Sequence, residues 1–370
     1  MTSRNRKTIQ LVVALVVLGV GALLLVILNG THTTLKNFAV EDPDTITRIF
    51  MADNHGHRVL LTHDLQNKSD SAWMVDEKYY ASQPMIDMLV RTMSQMRIRE
   101  RINKAAMPKV VSDLSARNTK VEVYQQVYRI NWFKDKSGKG KIQLFPHEKK
   151  TVTYLVGHET PDMMGSYMLR QGDKEPYIIY LAGFRGMINT RFIADPIAWR
   201  SHRIMDIDIK NIEQVRLDIT DYPQESFSVN RQGDGFYIQL TASGTRIDNF
   251  DTARVAQLLS SFTNLNFDEY AKAVPQVELD TTFSRPPKTV LTVTDRSGNV
   301  KEVKTYIKYV NPDDIKAMPD TTMYNVFDLN RLYAVIDSKD TVLIQYYTFD
   351  NILQPASFFL GHDRRDYAAQ

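Results

Sequence analysis

The densest grouping of metal-binding side chains in this sequence is His55-Gly56-His57, with His63 close behind. Two imidazoles two residues apart on a strand project from one face and could share a metal, given a third ligand such as Asp53 or Asp64. The same residues, Asn54-His55-Gly56-His57, sit where a hairpin must reverse, and a glycine there supplies positive φ without any ligand. No metal site is therefore expected. Asp206, Asp208, Asp218 and Asp221 lie close together in sequence, but a calcium loop needs several oxygen ligands wrapped by a glycine-bearing turn. Solvated strand faces account for them. Ser166 and the pair Ser201-His202 have hydrolase chemistry in principle, yet no Gly-x-Ser-x-Gly elbow accompanies them, and they read as hydrogen-bonding residues. Walker A, His-Glu-x-x-His and dinucleotide fingerprints are absent, and so is cysteine, which excludes disulfides and thiolate chemistry. No catalytic residue and no cofactor is expected.

A binding surface is better supported than a reaction centre. Across residues 184–203, Phe184, Arg185, Arg191, Phe192, Trp199, Arg200 and Arg203 alternate with small and polar residues. Aromatic and arginine side chains are enriched at binding hot spots, so Phe184, Arg185, Arg191, Phe192, Trp199 and Arg200 are the candidate partner interface. The same residues could instead close a core, and the aromatic residues Tyr346, Tyr347, Phe349, Phe358 and Phe359 near the C-terminus are their expected equivalents.

The elements that must position these residues occur twice. Residues 45–61 and 212–229 each show alternating apolar positions, a polar turn and a second alternating run, as a hairpin does. A bulky strand follows each, Ala72-Trp73-Met74-Val75 and Gly235-Phe236-Tyr237-Ile238. Helical spacing comes next: Met85, Ile86, Leu89, Val90, Met93 and Met96 in one copy, Ala253, Val255, Leu258, Leu259, Phe262 and Leu265 in the other. Ser82 with Pro84, and Asn249 with Asp251, supply the start signals. Later runs pair as Val121 to Tyr124 and Tyr128 to Phe133 against Val290 to Val293 and Val303 to Tyr309, then Tyr177 to Leu181 against Leu332 to Ile336. Each module reads as mostly antiparallel sheet with one principal amphipathic helix across a face, an α+β arrangement. The boundary falls near residues 203–210.

This pattern resembles an uncharacterised bacterial envelope family, domain of unknown function 4340, in two tandem copies. The resemblance is carried by Ile46, Ile49 and Phe50, by Trp73-Met74-Val75, and by Ile86, Leu89 and Val90, with Ile212, Val215, Phe236, Ile238, Val255 and Leu258 repeating them. Leu114-Ser115-Ala116-Arg117-Asn118 stands where the family usually has a glycine-leucine stretch. The resemblance implies a Bacteroidota-like, anchored extracytoplasmic protein associated with ABC-type transport or gliding components, and it carries no catalytic residues.

At the N-terminus, residues 11–28 (Leu11, Val16, Leu23 and Leu28 among them) contain no charge and follow Arg4, Arg6 and Lys7. About eighteen residues at 1.5 Å rise cover roughly 27 Å, so the run is expected to be a membrane-spanning signal anchor with its N-terminus in the cytoplasm. The competing reading is a cleaved signal peptide, but the run is longer than the usual apolar region and no small-x-small site follows it. The expected layout is a basic stub over 1–8, the transmembrane helix over 9–28, a linker over 29–44, modules over 45–205 and 206–362, and a tail over 363–370. Location would then be the bacterial inner membrane, with the bulk of the chain periplasmic.

The rest of the composition is that of an ordinary folded protein, 43% hydrophobic and 24% charged, with a net charge of +3. That balance does not favour nucleic acid, and the basic stretch over 134–141 reads as a solvated hairpin tip. The expected partners are the bilayer and a protein of an envelope complex. The expected function is a non-enzymatic binding or scaffold subunit, with an anchored hydrolase acting on cell-wall or polysaccharide substrate as the alternative.

Overall fold

The computed structural model describes residues 19, 38–66, 72–134, 140–310 and 327–360. The chain divides into two units between Arg200 and Ser201, a few residues before the expected boundary. In unit 1 the elements follow the alternating and helical runs of the sequence: β1 (Ile46–Asp53), β2 (Arg58–His63), β3 (Trp73–Val75), β4 (Tyr79–Tyr80), α1 (Gln83–Gln95), β5 (Met96–Arg101), α2 (Met107–Ala116), β6 (Thr119–Lys134), β7 (Gly140–Glu159), β8 (Ser166–Arg170) and β9 (Tyr177–Leu181). They form one nine-stranded sheet in the order β4-β3-β2-β1-β6-β7-β8-β9-β5, antiparallel throughout. The chain starts at the centre, meanders to one edge, crosses to the far edge through α1, and returns to the centre at β6.

Unit 2 consists of β10 (Arg203–Met205), β11 (Ile212–Ile219), β12 (Phe227–Gln232), β13 (Gly235–Leu240), β14 (Arg246–Ile247), α3 (Thr252–Ser260), β15 (Leu265–Asn266), β16 (Glu269–Tyr270), α4 (Gln276–Phe283), β17 (Thr289–Asp295), β18 (Val300–Tyr309), β19 (Phe327–Ile336) and β20 (Asp340–Gln345), then the short helices α5 (Tyr346–Phe349) and α6 (Ala356–Phe359). Its main sheet runs β14-β13-β12-β11-β17-β18-β19-β20-β16, and β10 pairs with β15 beside it. Position for position this is the strand order of unit 1.

The register makes the correspondence residue-specific. Ile46, Ile49 and Met51 on β1 occupy the places of Ile212, Val215 and Leu217 on β11, and Val121 and Val123 those of Leu291 and Val293; all ten are fully buried. Even the irregularity recurs, since the β1–β6 ladder shifts register between Ile46 and Arg48 and the β11–β17 ladder between Ile212 and Gln214. A bulge re-aims a strand and is retained for that reason.

Helices cover both faces of each sheet. On α1 the i, i+3, i+7 spacing buries Ile86, Leu89 and Met93 against the strands, as Val255, Leu258 and Phe262 are buried in and just beyond α3. Each such side chain contributes roughly 1.5–3 kcal/mol when taken from water. On the opposite face α2 sets Val110 and Leu114 on Leu155, Tyr167 and Ile178, and α4 sets Leu279 on Tyr333, Leu343 and Tyr306. These two helices were not anticipated, because each buries too few apolar positions to stand out as periodic.

Three expectations need correction. Among the described residues no helix is long and apolar enough to cross a membrane, so the fold is two mostly antiparallel sheet units without the expected membrane-spanning helix. The longest described helix, α1, has 13 residues; it reaches about 20 Å against a hydrocarbon core of roughly 30 Å, and its apolar face is spent on the sheet. The residues assigned to the span, Leu11, Val16, Leu23 and Leu28, lie outside the described residues. Second, Leu332 to Ile336 corresponds to β8 rather than to Tyr177–Leu181, whose counterpart is β20; apolar strands of equal length are interchangeable by pattern alone. Third, Tyr128 to Phe133 is not a separate strand matching Val303 to Tyr309. It continues β6, which with β7 runs far past the point where the shorter β17–β18 hairpin turns.

Candidate functional site

Residues 184–200 end unit 1, with Arg203 already in β10 of unit 2, and the structure separates the candidate interface residues into buried and exposed members. Trp199 is fully buried and Phe192 nearly so; Trp199 donates its indole N–H to the Ile193 carbonyl at 2.7 Å. Arg191 donates to Thr92 Oγ1 at 2.8 Å and lies 4.4 Å over the Phe184 ring. The Arg200 guanidinium sits 3.6 Å over the Tyr79 ring. Phe184 and Arg185 are exposed. Only these two present their side chains to solvent as a docking surface requires; the other four hold unit 1 closed.

Most of the residues weighed for chemistry are occupied locally. His57 Nδ1 is 2.8 Å from Asp53 Oδ2 across the β1–β2 turn, and His63 donates to the Ile46 carbonyl at 2.8 Å while stacking on Trp73. Burial pushes the Asp53 carboxyl upward, but hydrogen bonds from the His57 ring and from the His57 and His55 amides outweigh it and hold the group below its ordinary value. Asp208 caps the turn at Lys210, Asp206 accepts from the Asn264 amide, and Asp218 pairs with Arg216. Ser166 is fully buried; it accepts from the Ile188 and Asn189 amides and donates to Asn189 Oδ1. His202 stacks on Phe267, and burial lowers its pKa. Among the described residues no group of three His, Asp or Glu is placed to hold a metal ion.

Among the described residues, clefts of two sizes open on unit 1. The smaller, about 440 Å³, gathers Asp53, His55, Arg117, His158, Glu159 and Asn189 at the end of β1 and β7. Glu159 is held below the ordinary carboxyl value by a backbone hydrogen bond and by the Asn189 amide. Both carboxylates are thus kept ionised, whereas glycoside hydrolysis needs one raised enough to donate a proton.

The larger cleft, about 700 Å³, is made where β6 and β7 outrun the rest of the sheet. One wall is residues 39–42, the other the ribbon formed by the extended strands. The wall is packed in place: Phe38 stacks on Tyr154, whose hydroxyl donates to the Phe38 carbonyl at 2.6 Å, and Val40 N–H donates to Met93 O. Gln125 joins the two walls, donating to the Glu41 and Asp42 carbonyls and to Thr45 Oγ1, while Thr151 donates to its Oε1. Alternation along β6 places Val127 and Asn131 on the same face as Gln125, lining the cleft with Gln143, Thr153 and Arg170. The opposite face carries Ile130 and Trp132, while Tyr128, nearer the base of the ribbon, also borders the cleft. Part of the expected linker over 29–44 is therefore a cleft wall. The ribbon was legible in the sequence only as a separate strand over Tyr128 to Phe133.

Two sheets of the same order, each covered by helices and one opened into a polar cleft, define a two-unit, mostly antiparallel sheet protein. The chain belongs to the family described as Domain of unknown function (DUF4340), whose model matches residues 73–282, more than half of the chain, as a single copy. That one span begins in β3 and ends within α4, so it crosses both units instead of matching each separately. No curated protein and no solved structure matches the chain.

Proposed function

We propose that this protein is a non-enzymatic binding or scaffold subunit of a bacterial envelope complex, built from two tandem copies of one module. The shared strand order, the equivalent buried positions and the repeated bulge support the duplication. An extracytoplasmic location and association with ABC-type transport or gliding components are what the family resemblance implies.

The observation that carries the binding role is the larger cleft. It exists only where unit 1 departs from the repeat, and its lining of amides and hydroxyls suits the backbone of an extended segment from a partner protein. Mild-detergent purification of the full chain, compared with a Thr153→Trp and Gln143→Trp variant that fills the cleft, tests this. Stoichiometric co-purifying membrane subunits that are lost on filling are the expected result; recovery of the protein alone overturns it.

The second reading, a hydrolase of cell-wall or polysaccharide substrate working at the smaller cleft, is favoured only by the proximity of Asp53, His55, His158 and Glu159. Hydrolysis of peptidoglycan or polysaccharide that disappears in Glu159→Gln would establish it.

A further inference from the structure

Beyond Gln125 the outer edge of β6 is bare. The β1–β6 ladder ends at Ile46 opposite Gln125, because left-handed Asp42 and the 3-10 turn over Pro43–Thr45 carry the preceding chain off the strand line. On its other side β6 runs on against β7 to Lys134. Tyr128 stands opposite Pro146, which has no N–H, so this pair exchanges no hydrogen bonds and the Tyr128 N–H and carbonyl point away from β7. The register holds from Tyr124 to Trp132, which gives Gln126, Ile130 and Trp132 the same direction. In keeping with this, the Tyr124 carbonyl accepts from Thr47 Oγ1 on β1. Among the described residues nothing pairs with the main chain of Gln126, Tyr128, Ile130 or Trp132 on that side.

Unpaired edges are ordinarily guarded, and the terminal strands of both sheets show how. β4 has two residues and is followed by the Ala81–Arg200 bridge. β5 carries exposed Arg97, Arg99 and Arg101 and a register shift between Ile98 and Glu100. In unit 2 the terminal strands β14 and β16 have two residues each. Even the β7 side of the ribbon contains Pro146, left-handed Phe145 and the charged run Glu148-Lys149-Lys150. From Gln126 to Trp132, by contrast, β6 has no proline, no register shift and a single charge, Arg129. An edge of this length without a guard is a template for strand pairing.

The chemistry of the occupant follows from the edge. Its donors and acceptors recur at every second residue, a pattern that the main chain of an extended polypeptide matches. Gln126 and Tyr128 also line the larger cleft, together with residues 39–42. At the spacings of a packed sheet one strand residue fills roughly 160 Å³, so the cleft of about 700 Å³ takes about four residues of a single strand. We infer that an extended segment of a partner polypeptide adds to β6 along residues 126–132, in the line that β1 would follow past Ile46. This rests on the larger cleft being a binding site and specifies what the site reads: main chain through β6, with alternate side chains of the segment turned into the cleft beside Gln125, Asn131 and Gln143.

Random peptides displayed on phage are selected on the full chain, and the strongest binder is synthesised as the probe. Bound peptide is expected to slow amide exchange at Gln126, Tyr128 and Ile130. N-methylation at every second peptide position is expected to abolish binding while the intervening positions tolerate it. Ile130→Pro removes an outward donor without touching the β7 ladder and is expected to weaken the peptide about tenfold, whereas Ile130→Val leaves it unchanged. The N-methyl scan is made on the unaltered chain and decides the matter if the proline variant melts early. A binder lost in the Thr153→Trp and Gln143→Trp variant but indifferent to Ile130→Pro and to N-methylation overturns strand addition and leaves the cleft as a binding site. Selection of no peptide, or only of peptides indifferent to that filled variant, overturns both. Edge amides already protected in the free chain, and more so as its concentration rises, assign the edge to a second copy and overturn the inference.

Discussion

Trp199 holds in unit 1 the place that Phe359 holds in unit 2. The Trp199 carbonyl accepts the Ser82 amide at 2.8 Å and the Phe359 carbonyl accepts the Asp251 amide at 2.8 Å, each tying the start of the covering helix to the end of its unit. Both side chains are fully buried. Trp199→Ala and Phe359→Ala are each expected to cost about 3–5 kcal/mol, whereas Arg200→Ala, which loses a cation–π contact, costs about 1 kcal/mol. Urea unfolding of the three variants checks this; an unchanged midpoint for Trp199→Ala would restore residues 184–203 as a free binding surface.

The two helix starts are not equally capped. Asp251 accepts from the Ala253 and Arg254 amides, while the Ser82 side chain makes no capping bond although its position is equivalent. Asp251→Ala is expected to destabilise by about 1 kcal/mol and Ser82→Ala by a few tenths. Equal losses in thermal denaturation would show that the serine caps its helix in solution.

At Gly165 a Cβ would stand 2.8 Å from the Ile179 carbonyl oxygen. Backbone in the middle of a sheet has no room to retreat, so Gly165→Ala is expected to cost about 1–3 kcal/mol. At Gly172 the surroundings are open but φ is +94°, so the cost of alanine there comes from backbone strain, about 1 kcal/mol. Repacking would be revealed by a neutral Gly165→Ala melt.

Glu122 lies between Lys120 at 2.8 Å, Lys150 at 3.1 Å and the Tyr124 hydroxyl at 2.9 Å. Burial raises its pKa, but these three partners prevail and bring it from 4.5 to about 2. A lowered carboxyl stabilises the fold fully above its unfolded value and loses that contribution as pH falls through the folded one. Glu122→Gln is therefore expected to cost about 1–2 kcal/mol at neutral pH, after discounting for the exposed lysines, and the difference from the parent should vanish between about pH 4.5 and 2. A difference that stays constant to pH 2 would rule out the charge as its origin.

The hairpins and the covering helices α1 and α3 were legible in the sequence, because alternation and 3.6-residue spacing record which side of an element faces a core. Ile46, Leu89, Val215 and Leu258 show this. The edge strand β5 was not legible: Arg97, Arg99, Glu100 and Arg101 give it the composition of a solvent loop, and it becomes a strand only by pairing with β9. Ser166 and the 184–203 aromatics were ambiguous for a related reason, since residue type does not say whether a polar or aromatic side chain has found a buried partner.

By itself, then, the sequence determined the local elements and the apolar stripes, both of which depend on neighbours a few positions apart. Only the tertiary structure decided that β6 and β7 pair beyond the sheet and that residues 39–42 fold back to form a cleft with them. Those outcomes rest on contacts between residues as far apart as Phe38 and Tyr154, or Glu41 and Gln125, and no local pattern encodes them.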